Sequence, residues 1–66
     1  MKYYVYRISK HTGRKEYKKT KTLDNYVGEK LKDACWQYSK QGAKRIVERD
    51  TERYGWHFEY GMEVIA

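Results

Sequence analysis

At 66 residues with a net charge of +6, the chain makes one domain, 1–66, with a small core. A chain of this length buries only about 60% of its unfolded surface, which excludes a second domain and a deep substrate cleft. The single cysteine, Cys35, excludes an internal disulfide framework and points to a reducing compartment. No apolar run approaches the roughly 20 residues of a membrane span, and no apolar stretch of signal-peptide type follows Lys2. The expectation is a soluble cytoplasmic protein with no membrane partner.

Lys2 to Ser9 contains Tyr3, Tyr4, Val5, Tyr6 and Ile8, types that suit a pleated surface. His11-Thr12-Gly13-Arg14 reads as a turn, with Gly13 free to take positive φ. Lys15 to Thr22 resumes an extended, lysine-rich pattern, as an aggregation-resistant edge strand should. With Thr12-Gly13 as a two-residue loop, Ile8 lies opposite Tyr17, Tyr6 opposite Lys19 and Tyr4 opposite Lys21. Those six share one face. Tyr3, Val5, Thr20 and Thr22, with Arg7 and Lys18, share the other. Burying Lys19 and Lys21 is costly, so the second set is expected to face the core.

Leu23-Asp24 is expected to open a helix, with Asp24 as N-cap. Val27, Leu31, Ala34, Cys35 and Tyr38 recur at helical spacing and make one apolar stripe. Gly42 is the expected terminator. Trp36 sits off the stripe, as either a flank of the core or a surface anchor, the flank being the favoured placement. Ala43 to Arg49 is expected as a third strand around Ile46 and Val47, and Asp50 to Gly55 as a polar connection. Trp56 to Ile65 carries the clearest pattern of the chain. Trp56, Phe58, Tyr60, Met62 and Val64 alternate with His57, Glu59, Gly61 and Glu63, as in a half-buried strand.

These elements predict an α+β fold. It is a single four-stranded antiparallel sheet, β-β-α-β-β in order 2-1-3-4, with one helix packed on one face. The expected core joins the helical stripe to the aromatic face of the last strand, with Ile46 or Val47.

Charge is unevenly distributed. Residues 1–22 hold eight Lys or Arg and one acid, a sum of +7, whereas residues 43–66 sum to −1. Charge gathered in one third is either a footprint for a polyanion or an acidic protein, or a solubilising edge. The candidate contact edge is Arg14, Lys15, Lys18, Lys19 and Lys21, with Tyr4, Tyr6 and Tyr17 as candidate aromatic contacts. Rings flanked by cations suit single-stranded DNA or RNA, where each stacked base contributes about 1–3 kcal/mol. A tyrosine-rich patch serves protein recognition as well. The same tyrosines also read as completing a small core.

Catalytic and metal constellations are not visible. His57 alternates with Glu59, about 7 Å apart along a strand, but a tetrahedral zinc site needs three or four ligands and none is spaced to help. Cys35 falls on the apolar stripe, where a thiol is an inert small hydrophobe. No glycine-rich phosphate loop is present. The chain is therefore expected to have no catalytic residue, no metal and no cofactor.

The basic hairpin, then Thr22-Leu23-Asp24, then Ala34-Cys35-Trp36-Gln37-Tyr38 and Gly42, resembles small phage-encoded proteins that inhibit host machinery. These include T7-type RNA polymerase inhibitors and anti-CRISPR proteins. The resemblance spans roughly residues 2–49 and carries over no functional residue. It implies a non-enzymatic blocker that docks on a host protein or nucleoprotein complex. The expected assembly is a monomer or homodimer.

Overall fold

The computed structural model describes residues 1–21 and 24–65. Strands β1 (Tyr3–Ser9), β2 (Lys15–Lys18) and β3 (Tyr26–Gly28) are followed by a 3-10 segment, Glu29–Ala34. Helix α1 (Lys40–Tyr54) and strand β4 (Phe58–Val64) complete the fold. The strands form one four-stranded antiparallel sheet in the order β3-β2-β1-β4. The α+β class, the single antiparallel sheet and the single helix are as the sequence predicts.

The placement of elements differs. The helix lies at 40–54, where a strand was expected, and the third strand lies at 26–28, inside the stretch expected to be helical. The order is β-β-β-α-β, and the sheet order 2-1-3-4 gives way to 3-2-1-4. The cause is local. Ser39 caps α1, its Oγ accepting from the Gly42 amide at 3.2 Å, so Gly42 sits in the first turn of a helix rather than ending one. Ala43, Ile46, Val47 and Asp50 then recur at i, i+3, i+4 and i+7 along the inward side of α1. Upstream, Tyr26-Val27-Gly28 pairs with β2, Val27 opposite Tyr17, and this long-range pairing overrides the helical spacing. Thr22 and Leu23, the expected strand end and helix opening, lie outside the described residues.

The β1–β2 loop has four residues rather than two. The Ser9 amide donates to the Arg14 carbonyl at 3.0 Å and the Gly13 amide to the Ser9 carbonyl at 2.8 Å. Gly13 takes φ 75°, a conformation that glycine adopts without steric cost. The register therefore slips by two: Tyr6 faces Tyr17 and Ile8 faces Lys15. An even slip leaves every side chain on its expected face, whereas a slip of one reverses them.

Both faces of the sheet are covered. On one, Val5, Tyr38 and Ala43 are buried with Tyr3, Ile46, Val47 and Met62 beneath α1. On the other, Tyr4, Tyr17 and Cys35 are buried with Tyr6, Val27 and Ile65. The expected core is thus split. Val5 is buried as the sequence predicts, but Cys35 and Tyr38, expected on one helical stripe, lie on opposite faces of the sheet. Leu31, Ala34, Trp56 and Val64, expected inside, are exposed, Trp56 to 77%. β4 begins at Phe58, so Trp56 and His57 belong to the turn before it.

The helix-covered face also buries two charges, Lys18 and Asp50. Asp50 accepts from the Tyr26 hydroxyl at 2.9 Å and from Arg49 Nε at 3.1 Å, while Lys18 Nζ approaches Asp24 at 3.9 Å. Burial holds the Lys18 ammonium below the ordinary lysine range, with Asp24 and Asp50 opposing that shift. Beside them, the Arg7 guanidinium lies between the rings of Tyr26 and Phe58, 4.3 and 4.2 Å from their centroids, and its Nε donates to Glu16 at 3.0 Å. No helix among the described residues is long and apolar enough to cross a membrane.

Candidate nucleic-acid interface

The cover of the second face is irregular, and this positions the candidate site. After β3 the chain turns into the 3-10 segment and then runs extended from Cys35. A 3-10 turn eclipses residues at i and i+3, so this cover has no continuous apolar stripe. It buries Cys35 against Tyr4 and Tyr17 and leaves Leu31 and Trp36 outward, 56% and 47% exposed.

Each end of the segment borders a groove. At the β3 end, a groove of about 730 Å³ is lined by Gly13, Arg14, Lys15, Gly28, Lys30 and Leu31, with Glu29. At the other end, a groove of about 310 Å³ is lined by Lys2, Cys35, Trp36 and Gln37. The Trp36 amide donates to the Lys19 carbonyl at 3.0 Å, which ties the tryptophan to the strand end that carries Lys19. Lys21 Nζ stands 5.9 Å from the Trp36 ring centroid, within the reach of a cation–π contact. Trp36 is therefore an exposed ring with Lys21 over it and Lys2 and Lys19 beside it.

The expected contact residues divide into two groups. Arg14, Lys19 and Lys21 are exposed and take part in none of the ion pairs among the described residues. Lys15 is half-buried. Its Nζ lies 3.5 Å from Glu63 Oε1 and 4.5 Å from the Tyr6 ring centroid, so its charge is largely answered within the fold. Lys18 is a correction: it points under α1 and is fully buried, because its position on β2 alternates with Tyr17. Among the aromatic contacts, Tyr17 is fully buried and Tyr4 nearly so, their rings packed edge to face at 5.8 Å. The Tyr17 hydroxyl donates to Glu63 at 3.2 Å. Neither face is free to stack on a base. Tyr6 is half-buried and packs over Gly61, its partner across β1 and β4. Tyr4 and Tyr17 thus complete a core, the third reading their pattern allowed.

Sequence reasoning missed Trp36 as the exposed ring, and Lys2, Lys30 and Leu31 as groove residues. The available signal was the position of Trp36 off the apolar stripe, which fits the surface anchor and not the favoured core flank. It also missed the proximity of His11 and His57. Their rings, 46 residues apart in sequence, approach to 3.5 Å between His57 Nδ1 and His11 Nε2. Cys35 is buried, and desolvation pushes its thiol above the ordinary range, which suits packing rather than nucleophilic chemistry. Among the described residues, no group of three or more His, Cys, Asp or Glu stands close enough to hold a metal ion.

A scan against protein-family models, a search of curated proteins and a search of solved structures each find no match to this chain.

Proposed function

We propose that this chain is a non-catalytic binding protein that docks on single-stranded nucleic acid, alone or within a nucleoprotein complex. The contact runs along the segment 28–37 and the adjoining basic strand ends. The observation that carries the reading is Trp36, exposed on the basic side of the sheet with Lys21 over its ring and Lys2 and Lys19 beside it. A base stacked on such a ring contributes about 1–3 kcal/mol, and the surrounding ammonium groups neutralise phosphates. Arg14 adds positive charge at the β3 end, where Lys30 stands beside the exposed Glu29.

With about four phosphates neutralised, log K falls against log salt with a slope of roughly −3 on single strands. The test is a fluorescence-anisotropy salt titration on single- and double-stranded oligonucleotides. Replacing Lys19 and Lys21 together by glutamine is expected to flatten the slope by about one to two units and to leave the fold intact. Absence of binding at about 50 mM salt and micromolar protein, where such contacts are strong, overturns the reading.

A second reading, docking on a host protein as phage-type inhibitors do, is favoured by a separate feature. Trp56 and Tyr54, two residues apart in sequence, are both exposed, and tryptophan and tyrosine are common anchors of protein interfaces. A pull-down from lysate with and without nuclease separates the two. Recovery of one stoichiometric protein after nuclease favours the protein partner, and loss of all retained material favours the nucleic acid.

A further inference from the structure

We propose that His11 and His57 form a two-histidine site for a divalent transition-metal ion of the zinc type. His11 lies in the β1–β2 loop and His57 in the turn before β4. Register brings them together: β1 pairs with β4 along its whole length, ending with Ser9 opposite Phe58. The Lys10 amide then donates to the His57 carbonyl at 2.9 Å, which fixes the separation of the two backbones. Each side is held on its own as well. Ser9 Oγ accepts from the His11 and Thr12 amides at 3.2 Å, and the His57 amide donates to the Tyr54 carbonyl at 2.9 Å. The Trp56 ring lies 5.2 Å from the His57 ring and narrows its range of rotation.

The decisive quantity is the 3.5 Å between His57 Nδ1 and His11 Nε2. Two imidazole nitrogens bound at about 2.0–2.1 Å to a tetrahedral ion stand about 3.3–3.4 Å apart. Ligands at right angles, as in square-planar or octahedral sites, stand about 2.8–3.0 Å apart. The separation of the pair is therefore closer to that of two ligands on a tetrahedral ion, and each ring turns to direct its lone pair at the ion. Both rings are exposed, so an ion reaches them from solvent and keeps water in the two remaining positions. Imidazole is a ligand of choice for zinc, copper and nickel. Without an ion, the contact is a single N–H···N hydrogen bond in competition with water, which gives little to hold two loops. With an ion, one link joins the two loops that meet at the Ser9–Phe58 end of the β1–β4 pair.

Isothermal titration calorimetry with zinc chloride, together with NMR of the histidine rings, tests the site on the full chain. The expected result is uptake of one ion per chain, with the ring resonances of His11 and His57 shifted together. His11→Ala and His57→Ala are each expected to weaken binding about tenfold or more while keeping the parent thermal melt, since both side chains are exposed. No uptake of zinc, or unchanged affinity in either variant, overturns the proposal. Binding that survives both variants and disappears in Cys35→Ser places the ion at the thiol and overturns it equally.

Discussion

The two faces of the sheet are covered in different ways. Beneath α1, a regular helix lays Ala43, Ile46 and Val47 on Val5 and Met62 and closes over a buried pair of charges, Lys18 and Asp50. On the opposite face, a 3-10 turn and an extended run lay Cys35 on Tyr4 and Tyr17, with Tyr6, Val27 and Ile65 packed alongside. The helix turns its exposed side outward as a mixed-charge surface: Lys44, Arg45, Glu48 and Glu52. The irregular cover instead turns outward the large apolar side chains Leu31 and Trp36, beside Glu29, Lys30 and Asp33. A helix separates apolar from polar residues by its period, so it hides what it packs. A segment without such a period cannot hide everything, and what it leaves outside is the surface proposed for recognition.

The helix-covered face is the more sensitive to a single change. Asp50→Ala leaves the Tyr26 hydroxyl without its acceptor and removes a buried counter-charge from Lys18. Breaking a buried charge network of this kind costs about 3–5 kcal/mol, enough to unfold so small a domain. Thermal denaturation followed by circular dichroism checks this, and a melt within a few degrees of the parent contradicts it. Asp50→Asn, which keeps an acceptor for Tyr26, is expected to lose less.

On the other face, Gly61 sits directly under the Tyr6 ring, and a methyl group there overlaps that ring. Gly61→Ala therefore forces Tyr6 off its seat, at about 1–3 kcal/mol. Urea denaturation measures the loss. An unchanged midpoint shows that the irregular cover tolerates movement of Tyr6.

The helix-covered face is also sensitive to alkali. Burial pushes the Tyr38 hydroxyl from 10.0 up to about 12, and the hydroxyl donates to the Thr20 carbonyl at 2.6 Å. Tyr26 and Tyr60 are raised as well, in each case mainly by burial. A group held above its unfolded value contributes stability that is complete below pH 10 and is lost as pH rises through about 12. Lys18 acts with the opposite sign. Its folded value lies below 10.5, so its contribution improves as pH rises towards that value. The melting temperature is expected to fall between pH 10 and 12, and to fall less steeply in Tyr38→Phe. An identical slope in the variant removes Tyr38 from this account.

The smallest effect on stability is expected at the proposed recognition surface. Trp36→Ala and Leu31→Ala change exposed side chains, and exposed changes usually stay within about 0.5 kcal/mol. Trp36→Ala is nevertheless expected to weaken binding to single-stranded nucleic acid by the contribution of one stacked base, about 1–3 kcal/mol.

Legibility in the sequence followed the length and regularity of each pattern. The alternation of β4 was readable because Phe58, Tyr60, Met62 and Val64 hold one face for seven residues. The faces of β1 and β2 were readable because an even slip of register preserves them. Helix α1 was hidden because the fourth position of its inward stripe is Asp50, a charge whose partner Tyr26 lies 24 residues away in sequence. The stretch 26–38 read as a helix because its apolar spacing matched one, while the pairing that overrode it involves β2. The basic edge was legible as charge. Its aromatic member was not, because Tyr4 and Tyr17 are covered by a segment whose path no local rule specifies, and the same path brings Trp36 out.

The exposed ring at Trp36 carries the functional account, and its own fluorescence tests it most directly. In a Trp56→Phe background, Trp36 is the remaining tryptophan. Titration with a single-stranded oligonucleotide at about 50 mM salt, where phosphate contacts are strong, is expected to quench its emission to saturation. Added salt is expected to restore it. Binding seen by anisotropy of a labelled oligonucleotide while Trp36 emission stays unchanged contradicts the account.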